Sequence, residues 1–410
     1  MKKILLVLCV ALGLSARSGA QWIPLNSGTT VNISGLHFIS VDTGFAITSD
    51  IGDTSKILRT VNGGSTWSVI HRGSYIESFE DIYFVDKNKG FVGGYTYNSH
   101  LLKMTTDGGF SWSNYTSGAF PVTGTSSINF LNGTYGFLTG SNTTTMGMKT
   151  KDGGVTWTPM KASPSPTSSY TRILFLSADT GFLVGQSTSG LLRTIDTGNN
   201  WTDITLPVPS CSLYDMHFLS SSTGIAIGKS MGSNPVVLKT TTRGATWISK
   251  QIPLNYLEGV KVQMFPSGRG YIGGYTFADT PVILKTIDSG ETWTRMTMPA
   301  GNFRINDLHF PTEKVGYCAG SDGKILKLAV SNNVVNITNI TPLKIYPNPA
   351  ANLIYWDTSE RMDYPVRLYT MDGKLVKETT YTSGRMHVDD LAAGIYLVNI
   401  GNRNIQLVKK

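Results

Sequence analysis

Cysteine is scarce. The 410 residues hold three, one of which, Cys9, lies in the first twenty, so the rest of the chain has no disulfide framework to rely on. Cys211 and Cys318 fall in different sequence repeats and are not expected to pair, although an oxidising compartment would permit it. Histidine is nearly as rare, with six copies, and no Cys/His spacing of a zinc site occurs. Also missing are a phosphate-binding glycine loop, a Ser-His-Asp signature and any nucleic-acid-binding motif. No metal, no cofactor and no nucleic-acid partner are therefore expected. Beyond residue 20 no apolar run approaches the ~20 residues that cross a bilayer, so no transmembrane segment is expected in the mature chain.

Glycine is what the chain has in quantity: 44 residues, in a sequence 40% hydrophobic and 15% charged. That composition is globular, leaves room for more than one domain, and with few helix-like runs points to an all-β chain rich in turns. Residues 1–20 read as a secretory signal peptide: Lys2 and Lys3, an apolar core from Ile4 to Leu14, then Ser18-Gly19-Ala20 for cleavage. Part of the formal charge of +8 leaves with it.

Trp22, Trp67, Trp112, Trp157, Trp201, Trp247 and Trp293 recur every 44 to 46 residues, a period that suits propeller blades. Six of them close a motif of the form Thr-x-Asp-x-Gly-x-Thr-Trp, as in TTDGGFSW (Thr105 to Trp112) and TIDSGETW (Thr286 to Trp293). Asp107, Asp152, Asp196 and Asp288 keep the carboxylate; Asn62 and Thr242 replace it. In a hairpin turn such a side chain accepts hydrogen bonds from N–H groups just downstream, the glycine supplies positive φ, and the indole drops between neighbouring sheets. The motif resembles the Asp-box, or bacterial neuraminidase repeat. Asp107 with Trp112, Asp152 with Trp157, Asp196 with Trp201 and Asp288 with Trp293 are accordingly read as structural pairs.

Between the boxes runs a second motif, an apolar strand, a turn, then Gly-aromatic and a small-residue strand. DIYFVDKNKGFVGG (Asp81 to Gly94) and DLHFPTEKVGYCAG (Asp307 to Gly320) are two of its seven copies. Seven copies stand against six boxes. The strand Lys324 to Leu328 is followed by no box, and Trp22 sits one period before Trp67. The expected fold is a seven-bladed β-propeller over residues 21–330, closed by an N-terminal strand that completes the last blade and removes open sheet edges.

Residues 331–341 read as a linker and 342–410 as a small antiparallel β-sandwich, with a turn at Asp372-Gly373 and a core of Val366, Leu368, Leu375, Val376, Ile395, Leu397 and Val398. The blocks YPNP (Tyr346 to Pro349), Asp372-Gly373-Lys374 and Leu391 to Leu397 resemble the type A C-terminal sorting domain of the type IX secretion system. That resemblance implies export by the type IX machinery, engaged through residues 342–410, with the product secreted or held at the outer-membrane cell surface.

In such a ring the boxes occupy one face, and ligands are expected on the other, formed by links between blades and by turns between second and third strands. Asp81, Arg172, Asp215, Lys261 and Asp307 open their innermost strands and are expected to ring the channel mouth, either holding a polar ligand or pairing with one another. The loops add aromatics, Tyr75, Tyr97, Tyr256 and Phe303 together with Tyr95, Tyr170, Tyr275 and Phe277, which suit a polypeptide or carbohydrate ligand or else cap blade cores. His37, His217 and His309 share one repeat position and are read as packed or channel histidines.

Residues Asp81 to Trp112 are similar almost throughout to the repeat of single-ring propellers of the photosystem II stability and assembly factor type. This resemblance implies a non-enzymatic binding protein, here for an unknown protein or glycan ligand. The alternative is a glycoside hydrolase, sialidase-like or xyloglucanase-like, with Glu77, Glu80, Asp81 and Glu258 as candidate acids. Against it, Trp22-Ile23-Pro24 lacks the arginine found at that place in sialidases, and xyloglucanase-type enzymes use two rings rather than one.

Overall fold

The computed structural model describes residues 21–49, 54–97, 99–116, 124–140, 146–161, 169–186, 190–329, 345–356, 365–370, 374–400 and 403–410. The expected signal peptide, the expected linker at 331–341 and the Asp372-Gly373 turn lie outside these residues. The chain divides into two compact units, Met1–Ser331 and Asn332–Lys410.

In the first unit the described residues form seven four-stranded antiparallel sheets, the blades of a propeller. Six are runs of four consecutive strands, from Ile33–Phe38 out to Ser68–Arg72 in the first and from Glu258–Met264 out to Thr294–Arg295 in the sixth. The seventh takes three strands, Ile305–Thr312, Val315–Gly320 and Ile325–Ala329, from the end of the unit and its outer strand, Gln21–Leu25, from the start. Trp22 lies opposite Leu328 and Pro24 opposite Leu326. The Trp22 indole is fully buried against Ile305, Phe310 and Leu326.

The second motif has a steric reason. Each innermost strand carries at or near its end a large side chain that lies flat on the first glycine of the next strand. A Cβ on Gly44 would come 2.4 Å from the Phe38 ring and one on Gly316 2.2 Å from Phe310, so no other residue fits. The residue after that glycine then stacks on the ring of the following blade. Phe45 meets Phe84 at 4.1 Å between centroids, Phe137 meets Phe175 at 3.4 Å, Tyr271 meets Phe310 at 4.0 Å, and across the closure Tyr317 meets Phe38 at 3.7 Å. Between the fifth and sixth blades Ile225 and Met264 take the same places in one apolar cluster.

The boxes are turns held by their third residue. Asp107, Asp152, Asp196 and Asp288 each accept the backbone N–H four residues on at 2.8–3.0 Å. Asn62 and Thr242 do the same at 2.9 Å through their own side-chain oxygens, which is why loss of the carboxylate is tolerated. The hydroxyl and amide of Ser111 hold the Asp107 carboxyl down to about 2, and those of Thr156 do the same for Asp152.

One regularity escaped the sequence reading. The residue before the box threonine is basic at Arg59, Lys149, Arg193, Lys239 and Lys285 and, in the box-less blade, at its counterpart Lys327, and four of them, Arg59, Lys149, Lys239 and Lys327, reach into the box turn of the next blade. Lys149 Nζ donates to the Thr197 carbonyl at 2.9 Å, Lys327 Nζ to that of Gly63 at 3.0 Å, Lys239 pairs with Glu291 at 2.7 Å, and the Arg59 guanidinium lies 4.5 Å over the Phe110 ring. These four basic side chains therefore tie neighbouring blades together.

The second unit holds a three-stranded sheet, Ile345–Tyr346, Leu353–Trp356 and Arg385–His387, and a four-stranded one built on Pro365–Thr370 and Gly394–Ile400. Its core of Ile354, Trp356, Val366, Leu368, Tyr381, Met386, Val398 and Leu407 differs from the expected set. Leu375 and Ile395 are nearly half exposed. Alternation is the reason: with Tyr396, Val398 and Ile400 turned inward, Ile395 and Leu397 must face the other way.

Candidate functional site

Seven innermost strands line the axis, and two of their repeat positions form rows along a cavity of about 260 Å³ that every row member but Gly35 and Asp307 lines. The row nearer the linker face reads Gly35, Asp81, Ser127, Arg172, Asp215, Lys261 and Asp307; the next reads His37, Tyr83, Asn129, Leu174, His217, Gln263 and His309. Most of these side chains have a definite task, which is to hold the neighbouring blade.

Asp81 Oδ2 accepts the Ile128 N–H at 2.7 Å, Asp215 Oδ2 that of Val262 at 2.8 Å, and Asp307 Oδ2 that of Leu36 at 2.7 Å across the closure. The next row repeats the device. Asn129 accepts the Phe175 N–H at 3.1 Å, Gln263 that of Phe310 at 2.8 Å, and His217 Nδ1 that of Met264 at 3.3 Å, while the Tyr83 hydroxyl donates to the Phe130 carbonyl at 3.1 Å. Buried backbone N–H groups need such partners, and the side chains of one blade supply them to the next.

The charged row also pairs with itself. Arg172 lies 3.0 Å from Asp215 and 3.5 Å from Asp81, and Lys261 lies 3.1 Å from Asp307. Three carboxylates share two cations in a buried setting. Burial pushes the Asp81 and Asp215 carboxyls up to about 6 and raises that of Asp307, despite the opposing pull of Arg172. Burial alone would lower the Arg172 guanidinium, but Asp215 and Asp81 hold it above its usual value.

These five residues do not open their strands, as the sequence reading had it. The strands begin two to four residues earlier, at Ser78, Ser169, Cys211, Glu258 and Ile305, because the ladder slips at Phe79/Asp81, Tyr170/Arg172, Leu213/Asp215, Gly259/Lys261 and Ile305/Asp307. Such a bulge turns one residue to the mouth and the next into the wall. Asp81, Asp215 and Asp307 are buried wall residues, and Asp307 does not line the cavity at all. Phe303 is likewise no surface aromatic: it is 7% exposed and packs with Trp22 and Phe310 as a lid on the seventh blade. Tyr170 is buried in the same way.

Burial holds the His217 and His309 imidazoles down to about 4 and pushes His37 well below its usual value. His217 gives a clean test, because Gln263 performs the same task one blade on. A folded-state value below the unfolded 6.5 means that the unfolded chain takes up the proton first, so stability is full above pH 6.5 and is lost as pH falls towards 4. Stability of His217→Gln measured by denaturant unfolding is expected to match the parent at pH 7.5 and to exceed it at pH 4 by on the order of 3 kcal/mol at most.

The linker face has a different chemistry. Tyr75 and Tyr97 are exposed singly. Tyr256, by contrast, meets Phe277 edge to face at 5.8 Å, and Phe277 is 86% exposed. Beside them Lys229 bridges both oxygens of Glu258 at 2.8 and 3.1 Å and lies 5.5 Å over the Tyr214 ring, and Arg304 lies 5.5 Å over Tyr275 while pairing with Asp279 at 2.8 Å. Exposed Met231 belongs to the adjacent turn of the fifth blade. The sequence reading noted the tyrosines and Phe277 but not Lys229 or Arg304, whose partners are distant in the chain.

Of the four candidate acids three are committed. Glu77 pairs with Lys103 at 3.0 Å, Asp81 latches the third blade, and Glu258 is held by Lys229. Among the described residues Glu80 accepts two hydroxyls, Ser49 at 3.3 Å and Ser78 at 3.2 Å.

Residues 344–410 match the family of secretion system C-terminal sorting domains, and residues 119–209 match the photosynthesis system II assembly factor YCF48 family. The tail marks the chain as a type IX cargo, exported to the cell surface or beyond. No curated protein matches the sequence. Among solved structures the chain is similar to YCF48 from Cyanidioschyzon merolae (TM-score 0.61, 16% identity, 76% of this chain and 100% of that one). It is also similar to YCF48 bound to a D1 peptide (0.59, 19%, 75% and 96%). A third is the GH74 xyloglucanase of Xanthomonas campestris (0.60, 10%, 94% and 60%). Identities this low carry the propeller fold and nothing finer. Among the described residues no helix is long and apolar enough to cross a membrane.

Proposed function

We propose that this exported propeller is a non-catalytic binding protein that takes an extracellular polypeptide or glycan on its linker face. The observation that carries the reading is the division of labour between the two surfaces. The channel carboxylates are used to latch blades, whereas exposed Phe277 and Arg304 pack on the half-buried rings of Tyr256 and Tyr275, an aromatic and arginine grouping typical of binding hot spots. The D1-peptide complex of YCF48 shows that one propeller of this shape holds a peptide, which supports the same use of this one.

A glycoside hydrolase remains the second reading because of the xyloglucanase likeness and because burial raises the Glu80 carboxyl, as a general acid requires. Such an enzyme needs a second carboxyl about 5–5.5 Å or about 6.5–9.5 Å away. Glu77, Asp81 and Glu258 are engaged elsewhere. Incubating the full chain with a panel of fluorogenic glycosides, and applying it to glycan and peptide arrays, separates the two. Array binding without turnover is expected. Turnover of any glycoside, abolished by replacing one carboxylate, would overturn the proposal.

A further inference from the structure

Glu80 is the odd charge of this molecule. The bulge that turns Asp81 into the channel wall turns Glu80 towards the mouth, where it borders a depression of about 340 Å³ shared by four blades. Val260 and Tyr275 come from the sixth blade, Asn306 from the seventh, and Ser34 and Ser49 from the first. The other carboxylates of this region have cations: Asp81 has Arg172, Glu258 has Lys229, Asp307 has Lys261 and Asp279 has Arg304. Glu80 has none among the described residues. Both of its hydroxyl partners bond to Oε1, which leaves Oε2 without a donor there. Glu80 lines the depression itself, so a ligand seated there meets the carboxylate.

A largely buried carboxylate without a counter-charge is unfavourable in the free protein, and a cation that enters the site relieves it. The wall opposite helps. Tyr275 is an aromatic ring beside the depression, and such rings attract ammonium and guanidinium groups, as the Asp279-paired guanidinium of Arg304 5.5 Å over this one shows. Beyond Tyr275 the surface continues into Phe277, Tyr256 and Met231, side chains that offer apolar contact and, in Phe277 and Met231, no polar group for a sugar hydroxyl.

We infer that the mouth depression is a pocket for a lysine or arginine side chain of an extended polypeptide, with Glu80 as its counter-charge and the Tyr256–Phe277 ridge receiving apolar side chains next to it. This rests on the binding reading above and narrows it to basic-apolar segments of protein.

The probe is a bead library of N-acetylated octapeptides, screened with the full chain and with Glu80→Gln. Glutamine is isosteric and can still accept the Ser49 and Ser78 hydroxyls, so the variant is expected to fold. Its melting temperature at neutral pH should equal or exceed that of the parent, because an unpaired buried charge has gone. The parent should enrich sequences with one Lys or Arg beside an aromatic or aliphatic residue, and Glu80→Gln should bind the best of them ~10-fold or more weakly. A norleucine replacement of the basic residue should lose affinity for the parent to the same degree and matter little to Glu80→Gln. Enrichment of peptides without a basic residue, or basic preference that survives in Glu80→Gln, overturns the pocket while leaving the binding reading in place. Absence of any peptide enrichment also overturns it, and the broader reading then depends on the glycan array.

Discussion

Asp215→Ala is expected to lower the unfolding free energy by about 3–5 kcal/mol, the range for removing one partner of a buried ion pair. Two losses coincide at this residue. The Val262 N–H, held at 2.8 Å, is left in the interior without an acceptor, and Arg172 loses the nearer of its two carboxylates. Asp215→Asn separates them, since an amide oxygen can still accept from Val262 but cannot neutralise Arg172, and it should fall between the parent and the alanine variant. Chemical denaturation at pH 7.5 measures all three. A loss below ~1 kcal/mol for alanine, the size of an ordinary surface change, would mean that the charged row is not a latch and is free to serve a ligand.

Trp22→Ala is expected to cost about 3–5 kcal/mol through the cavity left by a fully buried indole. Its second effect is local. Gln21–Leu25 pairs along its whole length with Ile325–Ala329 and forms the outer edge of the seventh blade, so loosening it should release that blade before the others. Hydrogen exchange is expected to accelerate first in residues 305–329 and least in the third and fourth blades, on the opposite side of the ring. Uniform acceleration would show that the strand adds stability without acting as the clasp.

How much of this the sequence discloses depends on the distance over which each interaction acts. The Asp-box is local: an acceptor at Asp152 and a donor four residues on are both visible in one short string, and the 45-residue spacing of the tryptophans repeats the message. The latches are not local. Asp81 serves an N–H 47 residues away, and nothing near Asp81 reveals that partner or the bulge that decides whether Glu80 or Asp81 faces the mouth. Phe303 reads as a loop aromatic because its neighbours are Asn302 and Arg304; only the fold of the link over Trp22 buries it. In the tail, alternating apolar residues leave two registers open, and Ile395 falls on the outer face because Tyr396 is needed inside.

The box face also carries exposed apolar residues, Phe110 and Val155 among them, and so provides an internal control for the claim that the linker face does the binding. The deciding measurement is the affinity of three full-length proteins, the parent, Tyr256→Ser/Phe277→Ser and Phe110→Ser, for the tightest probe found on the arrays. The linker-face double variant is predicted to bind ~10-fold or more weakly at unchanged melting temperature, and Phe110→Ser to bind as the parent does. Loss of affinity in Phe110→Ser with the double variant unaffected would contradict the account.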